Sequence, residues 1–135
     1  MVVAEGSVGA RWAGRLRILR YEVRCWRGGV TAYSFAVESP RRLTDDEAPA
    51  RRVLELVPHV PTPVWGRDEL RAGEMWCCNS LTSWLLMASG LSVESIWPPA
   101  GGRAPGWKSG AVAADRDGAS HRRVNHHWRV GGKER

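Results

Sequence analysis

The sequence has little cysteine, a single phenylalanine, two lysines and no long apolar run, and each shortage excludes something. The cysteines are Cys25, Cys77 and Cys78, an odd count with two of them adjacent. Neighbouring cysteines form only a strained bridge, so a disulfide framework is excluded as the source of stability. No stretch approaches the roughly 18 apolar residues of a membrane-spanning helix, and no apolar run of signal-peptide length follows Met1. A reduced, cytoplasmic protein with no membrane partner is the expectation. Lysine occurs only at Lys108 and Lys133, so nearly all positive charge is arginine. With abundant Ala, Gly, Val, Pro and Trp, that skew fits GC-rich codons.

What the chain does have is enough apolar material for a core. Its 135 residues suit one domain, and a hydrophobic fraction of 43% with eight Trp argues against overall disorder. The net charge of +6 raises the question of nucleic acid, but half of the excess falls in residues 115–135, which argues against a recognition site.

Three regions follow from the patterning. Residues 1–14 lack periodicity and read as a loose lead-in, or as the remnant of a strand whose partner lies upstream. A single α+β domain is expected over 15–114, and a basic, disordered tail over 115–135. In RLRILRYEVRCW (15–26), Leu19, Tyr21, Val23 and Cys25 alternate with Arg20, Glu22 and Arg24, the pattern of a half-buried strand with Cys25 as a small core residue. Gly28-Gly29 offers a turn into VTAYSFAV (30–37), predicting a β-hairpin over 15–37. Thr44-Asp45-Asp46-Glu47 has capping-box spacing, Pro49 places the helix start near Asp46, and Pro58 ends it. PHVPTPVWGRDELRAG (58–73) is a proline-punctuated connector anchored by Trp65. Leu81, Trp84, Leu85 and Ala88 follow helical spacing, with Asn79 or Ser80 as the cap and Gly90 beyond the end, predicting a helix over 79–89. A short strand is expected at 108–114. The fold class is therefore α+β: a small antiparallel sheet with two helices packed on one face, Trp76, Leu81, Trp84 and Leu85 sharing the core with Tyr21 and Val23.

Chemistry is concentrated in EMWCCNSLTSW (74–84). A helix N-terminus presents free N–H groups and a partial positive charge that favour a thiolate, so Cys78 is the candidate nucleophile. His59, the one histidine before the tail, is the candidate base. His121, His126 and His127 lack the Cys or carboxylate company of a metal site, and neither a metal nor a cofactor is expected.

The stretch WCCNSLTSWLL resembles the helix start of circularly permuted papain-like proteins, including the NlpC-type peptidases and PPPDE-like proteins. That resemblance implies a nucleophile at Cys78, a strand-borne histidine and a helix packed under a small sheet. A broader similarity, carried by RYEVRCWRGG, SPRRLT, LVPHVPTPVWGRDEL and PPAGGRAPGW, is to an uncharacterised family of high-GC Gram-positive bacteria, in which Asn and Ser are usual where Cys77 and Cys78 stand. The family tends to carry more chain before the first strand, where a permuted papain-like protein would keep its histidine. The resemblance thus implies a degenerate or truncated papain-like domain without activity. Two other readings stay open: a thiol hydrolase or acyltransferase using Cys78, and a protein-interaction module using the Trp/Pro-rich 96–107 loop.

Overall fold

The computed structural model describes residues 1–28, 41–93 and 95–129, with side chains only as far as residue 118 in the last stretch. Among these residues the architecture is α+β: a two-stranded antiparallel sheet and three α-helices.

Among the described residues the sheet forms between the N-terminal residues and the strand expected within 15–26. Its strands are β1 (Val2–Ser7) and β2 (Arg20–Arg24), paired with Glu5 opposite Glu22, Gly6 opposite Tyr21 and Ser7 opposite Arg20. The partner expected from the hairpin, residues 30–37, lies outside the described residues. Residues 1–14 are therefore not a loose lead-in. Their strand escapes a periodicity test because its centre is small. A Cβ at Gly6 would collide with the hydroxyl end of the Tyr21 ring, so the glycine is what lets the phenol lie across β1. Two short 3-10 turns, Arg11–Arg15 and Arg17–Leu19, connect β1 to β2. The β2 alternation is as expected, with Tyr21 and Val23 half-buried and Arg20, Glu22 and Arg24 outward. Cys25 is a correction: it lies beyond the strand end, pairs its backbone with Met1 and is exposed rather than core.

Helix α1 (Glu47–Leu56) starts where the prolines and acids place it. Asp46 Oδ1 accepts the Ala48 N–H at 3.0 Å, and Pro49 sits within the first turn, where a missing N–H leaves no hydrogen bond broken. A 3-10 turn at Val57–His59 follows. Helix α2 (Cys78–Ala88) is close to the range expected, and Gly90 beyond it has φ 83°. The expected strand at 108–114 is instead the opening of α3 (Trp107–Arg129), which continues across the domain limit expected at residue 114.

The core collects Leu56, Val60, Trp76, Trp84 and Ala113, with Tyr21, Val23, Leu81 and Leu85 packed against them; the two tryptophans and the last four are the residues the sequence predicts. The connector closes it from the side. Trp65 N donates to Ser7 O and Gly9 N to Trp65 O, and the Tyr21 and Trp65 rings lie 4.9 Å apart. Glu69 pairs with Arg11 through both carboxylate oxygens and also accepts the Val64 N–H at 2.8 Å. Asp68 accepts the N–H groups of Ala72 and Gly73, which holds Arg71 in its left-handed conformation, φ 53°.

Candidate functional site

The adjacent cysteines stand at the start of α2, and the structure gives them different work. Cys77 is the residue before the helix. Its backbone N–H donates to Ser80 Oγ at 3.0 Å, and its thiol donates to the carbonyl of Pro105 at 3.0 Å. Asn79 Nδ2 donates to the same carbonyl at 2.9 Å, and the Ser80 hydroxyl to Gly106 O at 2.7 Å. One turn on, Ser83 Oγ donates to Trp107 O at 2.7 Å. From the other side, Ser109 Oγ donates to Glu74 O, and Glu74 Oε2 accepts the Lys108 N–H at 3.0 Å. Residues 74–83 thus form a polar clasp around residues 105–109. The carbonyls at the entry to α3 thus accept thiol, amide and hydroxyl donors from the start of α2, and the Lys108 N–H, one of those a helix start leaves without a backbone partner, is met by Glu74.

The clasp is tight. Gly106, at φ 85°, has Ser80 Oγ 2.7 Å and Met75 O 2.8 Å from where a Cβ would stand. A Cβ on Gly110 would meet the Ser80 carbonyl and lie 2.7 Å from Ser83 Oγ. Ser80, Ser83 and Ser109 are fully buried, and Trp84 Nε1 reaches Asp117 Oδ2 at 2.8 Å.

Cys78, the candidate nucleophile, is the first residue of α2 and is exposed. His59, the candidate base, is exposed at the other end of the helix. It lines a cleft of about 820 Å³ with Trp84, Met87 and Ala88. Cys78 and Ala88 are separated by about 15 Å of helix at ~1.5 Å per residue. The two candidates are not brought together, and no nucleophile–base contact forms between them. Among the described residues no group of three or more His, Cys, Asp or Glu is placed to hold a metal ion, and no helix is long and apolar enough to cross a membrane.

A second cleft, of about 600 Å³, lies beneath the 93–107 loop. Ile96, Trp97, Pro98, Pro105 and Trp107 form its apolar walls, and Glu74 and Arg103 stand on it as the charged groups. Arg41 ties the loop down, donating to Ser95 O and Oγ, each at 3.0 Å. Trp97 remains 80% exposed.

Among the described residues one titration is displaced, and it is structural. Burial pushes the Tyr21 phenol up to about 12, with the nearby Trp76 indole acting the other way and the Glu69 charge adding to the rise. The hydroxyl donates to Pro63 O at 2.9 Å, whereas the buried Trp76 Nε1 has no partner of hydrogen-bonding geometry.

Sequence reasoning missed the clasp, although a signal was available. Gly106, Ser109, Gly110, Ala113 and Asp117 recur at helical spacing, a stripe of small residues that a search for apolar periodicity passes over. Comparison with family models, with curated proteins and with solved structures gave no match.

Proposed function

We propose that the chain is a non-enzymatic binding domain whose 93–107 cleft receives an extended, proline-containing segment of a protein partner. The observation that carries this reading is Trp97: a large indole kept out of the core, yet forming a wall of a concave, mostly apolar surface. Indole faces set beside prolines suit a polyproline-type ligand, which loses little entropy on binding because its backbone is already extended. Glu74 and Arg103 supply the polar ends that fix direction. The papain-like resemblance at the helix start enters this reading as an architecture without its dyad, since His59 and Cys78 stand at opposite ends of α2. Three free thiols suit a reducing compartment, and the cytoplasm is the proposed location.

The test is selection from a displayed peptide library, followed by affinity measurement on the whole chain. Enriched peptides should carry proline beside apolar residues. Trp97→Ala should weaken them by about thirtyfold, the loss of one central hot spot, and Cys78→Ser should leave them unchanged. Absence of enrichment, or affinities indifferent to Trp97→Ala, would remove the proposal. Deleting the whole loop is a poor test, because Pro105 and Gly106 hold α3.

A further inference from the structure

The connection between β1 and β2 is rigidly held, yet it turns its largest apolar side chains outward. Ala13 is buried, and backbone bonds from Ala13 to Ala10, Leu16 to Ala13 and Leu19 to Leu16 fix both 3-10 turns. Arg11 is pinned by Glu69, and Arg20 by Glu5 and the Gly14 carbonyl. From that base Trp12 is 71% exposed, Leu16 53% and Ile18 90%. Single exposed apolar residues are ordinary, but three within seven positions of a fixed segment are not. Between them stand Arg15 and Arg17, both exposed and with side chains that make no hydrogen bond or ion pair among the described residues.

We propose that residues 11–19 are a membrane-surface contact, in which Trp12, Leu16 and Ile18 enter the interface of an anionic bilayer and Arg15 and Arg17 engage its headgroups. A segment that enters a lipid interface needs apolar side chains to insert and cations to hold it at negative headgroups, and this one offers both within a single rigid unit. Tryptophan suits the position, having an apolar body and a polar N–H that can stay with the headgroups. Single-stranded nucleic acid is the competing anionic partner, but it binds by stacking on aromatic faces. Leu16 and Ile18, two of the three protruding groups, have no face to offer a base. The absence of a spanning helix does not bear on surface association, which needs no span.

Sedimentation with vesicles tests the proposal on the full chain. Phosphatidylcholine vesicles with roughly a third phosphatidylglycerol should bind the protein, and pure phosphatidylcholine should bind it far less. Each surface arginine is worth about fivefold in partitioning, so Arg15→Ala with Arg17→Ala should lose about thirtyfold. The triple variant Trp12→Ser, Leu16→Ser, Ile18→Ser should lose at least as much, and raised salt should weaken the wild-type chain but not pure-lipid background. All five side chains are exposed, so unchanged circular dichroism and urea midpoints are expected alongside. No binding to anionic vesicles, binding unaltered in either variant, or binding of a single-stranded oligonucleotide in preference to vesicles would each overturn the proposal. Neither result touches the 93–107 cleft, whose test uses Trp97.

Discussion

Helix α2 is held on two sides by opposite means. On one side it presents Leu81, Trp84 and Leu85, large side chains that fill space in a cluster with Trp76, Tyr21 and Val23, and Trp84 also reaches Asp117 of α3. Toward α3 it presents Ser80 and Ser83, small side chains so close to Gly106 and Gly110 that hydroxyls reach the facing backbone. The first contact stabilises through apolar area removed from water, the second through satisfied polar groups and near approach of two backbones. A core made of area should suffer when atoms are removed, and a seam made of proximity when atoms are added.

The largest expected effect is on the area side. Trp84→Ala empties the middle of the cluster and removes the indole N–H from Asp117, so it should cost about 3–5 kcal/mol in urea unfolding. A loss below about 1 kcal/mol would mean that the cluster does not carry the fold.

Gly110→Ala tests the seam by addition, and it does so through the sign. In an open helix alanine is better than glycine by about 1 kcal/mol. Here the new methyl would meet the Ser80 carbonyl, which is backbone and cannot swing aside, so α2 and α3 must part. A net destabilisation of about 1–3 kcal/mol is expected, measured by the same melts. A stabilised variant would break the comparison, since the seam would then have room.

These two sites also show why one half of the fold is legible in the sequence and the other is not. Leu81, Trp84, Leu85 and Ala88 announce a helix because large apolar residues at that spacing form a continuous face in no other regular element. Asp46 and Pro49 fix the start of α1 for equally local reasons. The α3 seam is written in Gly, Ser and Ala, residues common in loops, and its meaning depends on Ser80 and Ser83 lying opposite. The β1 strand is hidden similarly, because Gly6 makes sense only once Tyr21 is seen across from it. Cys78 and His59 each stand in a plausible local setting, and what a catalytic pair needs is a short distance between them. Local signals cannot set that distance.

Smaller effects sharpen the contrast. Ser83→Ala removes the donor to Trp107 O without adding volume, so it should cost about 0.5–1.5 kcal/mol, less than the glycine change, by chemical denaturation. On the area side, Tyr21 links stability to alkaline pH. Its folded value of about 12 lies above the ordinary tyrosine value of 10.0, so the native state holds the phenolic proton more tightly than the unfolded chain. The resulting stability is fully present below about pH 10 and is lost as pH rises toward 12. Tyr21→Phe should remove that decline from the urea midpoint measured across this window. A decline of equal slope in the variant would assign it to other groups.

The smallest effect lies where the seam meets the surface, at two adjacent residues. Cys77 points its thiol at the Pro105 carbonyl, against Gly106, whereas Cys78 is exposed on the outer side of the same turn. Cys78→Ser should therefore change stability by no more than about 0.5 kcal/mol, as for an ordinary surface position. Access should separate the pair more sharply than energy does. Under native conditions iodoacetamide should label Cys78 and the exposed Cys25 quickly and Cys77 slowly, as read by peptide mass spectrometry. Denaturant should bring the three rates together, because the shielding of Cys77 belongs to the clasp. Any chain alkylated at Cys77 should also unfold at lower urea, since the added group has no space beside Gly106. Native labelling of Cys77 as fast as Cys78 would show the clasp open in solution, and the comparison between the two sides of α2 would lose its polar half.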